Sequence, residues 1–109
     1  MALLSGFHVV QLGQGLAAAV SGRLLADVGA EVVCIDPDSS TPLATYLNHG
    51  KAVVAATEDV LAAADLIVVE GRPAELRARS HDAGSLRAHN PTAALVFYLS
   101  VRPDRITGR

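Results

Sequence analysis

Within this 109-residue chain, the residue types and spacing of Gly13-Gln14-Gly15-Leu16-Ala17-Ala18 are the most suggestive of chemistry. The stretch fits the pattern G-x-G-x-x-G/A, in which small residues allow a tight turn, close backbone approach to phosphate oxygens, and contact between helix and strand. The unpaired N–H groups of a following helix would face the anion. Asp36 lies 21 residues beyond Gly15, at the end of a second apolar run, where an acid accepts hydrogen bonds from a ribose. Two readings stand on these residues alone. One is an NAD-type dinucleotide-binding turn resting on Gly13, Gly15, Ala18 and Asp36. The other is a set of small residues that lets an Ala-rich helix pack closely on a sheet.

Other groups offer less. His8, His49, His81 and His89 show no i, i+4 pairing and no accompanying carboxylate and cysteine constellation, so no metal site is expected. Lys51 either meets a phosphate or flanks a strand, and the residue alone does not choose between them. Glu58-Asp59 reads as a pair of acids at a helix start, matched to the macrodipole, rather than as a general acid and base. No serine sits in a G-x-S-x-G setting, so serine hydrolysis is not supported.

The elements that must position these residues follow from five short apolar runs: His8 to Leu12, Glu31 to Ile35, Ala52 to Ala55, Leu66 to Val69, and Ala94 to Leu99. Most are rich in Val, Ile or Leu without strict alternation, as parallel strands covered on both faces are. Between the first two, Leu16, Ala19, Val20, Leu24 and Val28 recur at helical spacing, and Gly29 is placed to close that helix. Thr57 can cap a helix running to about Ala64, and Asp65 then opens the fourth strand. A short helix from Ala74 to Arg79 and another near Asp82 to Ala88 follow, the latter stopped by Asn90-Pro91. The Pro- and Ser-rich run from Pro37 to Gly50 reads as a long loop in place of a crossover helix.

The pattern implies an α/β, three-layer Rossmann-like domain over residues 1–100, with a mainly parallel five-stranded sheet in the order 3-2-1-4-5. Residues 101–109 read as a loose tail. The formal net charge of −2 supplies no excess of cations for nucleic acid or anionic lipid. Cys34 is the only cysteine, so no internal disulfide forms, and a reducing cytoplasm is the expected setting. No apolar run approaches the ~20 residues of a membrane helix, and the N-terminus lacks the basic region of a signal peptide.

Beyond the turn, longer segments resemble a known family. Gly6-Phe7-His8-Val9-Val10, followed by the run from Gly22 to Asp36, resembles the opening of the family III CoA-transferases. This group includes the formyl-CoA and carnitine CoA-transferases and α-methylacyl-CoA racemase. Leu47-Asn48-His49-Gly50-Lys51 is similar to the family's Leu-Asn-Arg-Gly-Lys. The run from Ala64 to Glu70 with Arg72-Pro73 is similar to its Ala-Asp-Val-Leu-Val-Glu-Asn-Phe-Arg-Pro-Gly segment, and Asn90-Pro91 also matches. The resemblance runs in order from residue 6 to about residue 100.

The resemblance implies a CoA-binding half-domain, with coenzyme A or an acyl-CoA as ligand. The implied contacts are Gln14, Gly15, Leu16 and Ala17 at the turn and helix start, Asp36 and Pro37 after the second strand, and Gly71 and Arg72 after the fourth. The family's catalytic aspartate lies downstream of the matched segments, so the resemblance assigns no catalytic residue here. Departures accompany the matches: Gln14-Gly15-Leu16-Ala17-Ala18-Ala19 stands where the family has Arg-Val-Leu-Ala-Gly-Pro, Gly71 stands for its Asn-Phe, and Val101-Arg102-Pro103-Asp104 replaces its Ser-Gly-Phe-Gly. A diverged, non-catalytic binding or dimerisation module is therefore the alternative, with an exposed sheet edge as the route to a homodimer or partner chain.

Overall fold

A computed structural model describes residues 3–37, 40–55 and 57–99. In chain order the elements are β1 (His8–Leu12), α1 (Leu16–Asp27), β2 (Glu31–Ile35), α2 (Pro42–Asn48), β3 (Ala52–Val53), α3 (Glu58–Ala62), β4 (Leu66–Gly71), α4 (Pro73–Ala78), α5 (Ala83–His89) and β5 (Ala94–Leu99). The five strands form one sheet in the order β3-β2-β1-β4-β5, and all four pairings are parallel. The α/β class and strand order expected from the apolar runs are thus those of the fold.

Alternation within each strand divides the core. Val10, Leu12, Ile35, Ile67 and Val69 face Leu61, Leu76 and Leu86 from α3, α4 and α5. Val9, Val32 and Val68 face the other way, onto Ala18 of α1. Fully burying a Val, Leu or Ile side chain stabilises by about 1.5–3 kcal/mol, so both faces hold the sheet.

Three expectations are corrected. The run from Pro37 to Gly50 contains a helix after all. Thr41 caps α2 by accepting the Ala44 N–H at 3.1 Å, and Pro42 occupies the first turn, where a missing N–H costs nothing. The residues that looked like turn formers are helix-start signals. Next, β3 spans only Ala52–Val53 while β4 runs on to Gly71, because β5 pairs with it over its whole length.

The third correction concerns α1. Of the apolar stripe expected on α1, Ala19 is buried, but Leu16, Val20 and Leu24 are exposed, whereas Ala18 and Gly22 are buried beside Ala19. Small residues at those positions bring the helix backbone close to the sheet, a distance that leucines would prevent. Gly29 closes α1 as expected, with φ of 104° and its N–H donated to the Ala26 carbonyl at 3.0 Å.

Two polar ties fix the strand ends. Asp65 Oδ2 accepts the His8 N–H and the His8 carbonyl accepts the Asp65 N–H, both at 2.8 Å. Asn90, buried below α3, donates from Nδ2 to the carbonyls of Leu61, Ala62 and Ala64 and accepts at Oδ1 from Thr92 and Ala93. It stops α5 and sets the entry of β5.

Candidate functional site

The chain builds outward from β1 to β2 and β3, then returns to β4 on the other side of β1. Ligands in open α/β sheets bind beyond the carboxyl ends of the strands at such a reversal. Here the reversal lies between β1 and β4. A cleft of about 230 Å³ opens there, lined by Gly13, Gln14 and Gly15 from one side and Glu70, Gly71, Glu75, Leu76, Arg79 and His81 from the other.

The floor needs glycine. Gly13 has φ of 105°, and a Cβ there would run into the Glu70 carbonyl oxygen. At Gly15 the obstacle is different, since an added Cβ would meet the Glu70 side-chain carboxylate. That carboxylate lies over the start of α1, where Oε1 accepts the Ala18 N–H at 2.7 Å. Gly15, the residue before α1, makes no side-chain cap, so Glu70 supplies the acceptor from a distant strand.

Among the residues that the resemblance implies, Gln14, Gly15 and Gly71 line the cleft. Ala17 is half-buried, whereas Leu16 is exposed on the outer side of α1. Asp36 has a positive φ of 54° and is joined at 3.3 Å to Arg79, which brings the end of β2 to the cleft mouth. Pro37 follows it, half-buried. Arg72 pairs with Glu75 at 2.9 Å, and this guanidinium holds the Glu75 carboxyl below its usual range. Burial, then the charge of Arg79, holds His81 below the usual histidine range. The cleft therefore carries acids near β4 and α4, and at the far wall a cation beside the histidine whose protonation that cation and burial disfavour.

Sequence reading missed Glu70, Glu75, Leu76, Arg79 and His81 as cleft residues. The one signal for Glu70 was its place at the end of β4, beside the strand reversal.

Lys51 takes the structural of its two readings. Its Nζ donates to Gln11 Oε1 at 2.8 Å, to the Ala19 carbonyl at 2.9 Å and to Asn48 Oδ1 at 2.9 Å, underneath α1. Burial lowers its pKa, and burial raises that of the adjacent Cys34 thiol. Gly22 leaves room for this cluster, since a Cβ there would overlap Gln11 Oε1 and stand 3.0 Å from Lys51 Nζ. The Leu47–Lys51 stretch thus locks α2 to α1 and β1, while His49 is exposed. Among the described residues, no three His, Cys, Asp or Glu side chains are grouped to hold a metal, and no helix is long and apolar enough to cross a membrane.

Residues 4–55 match the model of CoA-transferase family III. No curated protein matches the sequence. Among solved structures, Rv3272 from M. tuberculosis is similar at 24% identity and a TM-score of 0.73, over 89% of this chain and 32% of that one. A CAIB/BAIF family protein from Brucella suis is similar at 22% identity and a TM-score of 0.71, over 88% of this chain and 33% of that one. The chain spans about a third of the length of these structures.

Proposed function

We propose that this chain, whose residues 4–55 match the model of CoA-transferase family III, binds coenzyme A or an acyl-CoA in its cleft. The observation that supports the reading is the placement of Gln14, Gly15 and Gly71, expected from the resemblance, in a single cleft at the strand reversal. Arg79 at the mouth offers a charge-assisted partner for an anionic group of the ligand. The two carboxylates of the cleft are engaged, Glu70 with the Ala18 N–H and Glu75 with Arg72, and neither is assigned as a nucleophile. The buried, single Cys34 suits a reducing cytoplasm.

A thermal-shift titration with CoA, acetyl-CoA and NAD tests the reading. A ligand that binds only the folded chain raises stability with the logarithm of its concentration, by about 2.7 kcal/mol at a hundredfold excess over Kd. CoA should raise the midpoint by several degrees and NAD should leave it unchanged. A response to NAD alone would restore the dinucleotide reading of Gly13, Gly15, Ala18 and Asp36.

A second reading rests on β5. Among the described residues nothing pairs with its outer edge, and Val96, Tyr98 and Leu99 are exposed along the strand. An apolar edge of this kind invites strand pairing, so a non-catalytic module that pairs with a second copy or a partner chain is the alternative. A concentration-dependent mass from ultracentrifugation, abolished by Val96→Lys, would favour it.

A further inference from the structure

The glycine pattern of Gly13 to Ala18 alone would lay a ligand phosphate against the start of α1, but that position already holds a carboxylate. Glu70 reaches it from β4, bonds the Ala18 N–H at 2.7 Å, and lies so close to Gly15 that no side chain fits between them. The geometry points to Glu70 as a specificity-determining residue: it turns phosphate away from the α1 start and presents a carboxylate to a neutral, hydrogen-bond-donating part of the ligand. This rests on the reading of the cleft as a ligand site.

Three observations carry it. Only Oε1 of Glu70 is committed to the Ala18 N–H, and the residue lines the cleft, so the carboxylate keeps acceptor capacity on the ligand side. Second, a dianionic phosphate placed there would meet Glu70 at close range, and like charges in a partly buried site repel strongly. Third, the cation lining the cleft, Arg79, lies away from α1 on the opposite wall, where it pairs with Asp36 at 3.3 Å and shares the lining with Glu75. Hydroxyl or amide groups of a ligand are therefore favoured toward Glu70, and its phosphate away from the α1 start.

Coenzyme A divides into two probes that separate these demands: pantetheine, neutral and bearing hydroxyl and amide groups, and inorganic pyrophosphate. Backbone amide shifts of the isotopically labelled chain report each one at Gly15, Ala18 and Gly71. In the wild type, pantetheine should shift these amides, and pyrophosphate should leave Gly15 and Ala18 unmoved. Glu70→Gln keeps an acceptor of the same shape and removes the charge, so pyrophosphate affinity at Gly15 and Ala18 should rise at least tenfold. Glu70→Ala should behave the same way, and the glutamine variant carries the test if the alanine variant does not fold. Equal pyrophosphate shifts at Gly15 and Ala18 in wild type and variant would overturn the assignment, as would their absence in both. Intact CoA added to the same samples reads the cleft separately: shifts at Gln14 and Gly71 uphold the ligand site whatever Glu70 does, and no shift in any sample removes it.

Discussion

The carboxylate of Glu70 and the backbone N–H of Ala18, 52 residues apart in sequence, meet at 2.7 Å and join the end of β4 to the first turn of α1. This one contact ties together the two chain segments that flank the strand reversal. It also explains why Gly15 carries no side chain. Gly15→Ala should displace the carboxylate and strip α1 of its cap, at a cost of about 1–2 kcal/mol. Urea denaturation of the variant measures it, and an unchanged midpoint would show that the contact contributes little.

The Lys51 cluster predicts a larger loss. Lys51→Met leaves Gln11 Oε1, Asn48 Oδ1 and the Ala19 carbonyl without their shared donor, which should cost about 2–4 kcal/mol. Gly22→Ala pushes on the same cluster, so its effect and that of Lys51→Met should fall short of additive in the double variant. Strict additivity would mean the two residues act separately.

Asn90 offers a test of polarity rather than volume. Its Nδ2 faces the carbonyls of Leu61, Ala62 and Ala64. Asn90→Ala should destabilise by about 2–4 kcal/mol, and Asn90→Asp by more, because a carboxylate would then face three carbonyl oxygens. Equal denaturation midpoints for the two variants would contradict this account.

Stability should also depend on pH through His81, whose folded pKa is held below its usual value by burial and by Arg79. The unfolded chain takes up this proton at about pH 6.5 and the folded chain only at lower pH. Between those two values the unfolded state binds more protons, so stability rises with pH through that window and is lower beneath it. His81→Gln should flatten this slope in denaturation series between about pH 5 and about pH 7.5. The same slope in the variant would assign it to another group.

Strand order was legible because β1, β2 and β4 are buried on both faces and so read as Val- and Ile-rich runs. The helix α2 was hidden because Thr41 and Pro42 serve turns and helix starts alike, and only the backbone beyond them decides which. For α1 the helical period was correct but its buried face only in part. Hydrophobicity pointed to Leu16, Ala19, Val20, Leu24 and Val28, of which Ala19 is buried, while close approach to the sheet selected Ala18 and Gly22 beside it. In the cleft, the glycine turn was legible because its constraint is local. Glu70 and Arg79 were not, since each acquires its role from a partner more than 30 residues away in sequence.

Titration of the labelled chain with CoA, followed at the backbone amides of Gln14, Gly15, Gly71 and Arg79, tests the ligand site most directly. The account predicts saturable shifts at these four residues, which line one cleft but come from two separate parts of the chain. No shift at any of them at millimolar CoA, or shifts confined to the β5 edge, would contradict it.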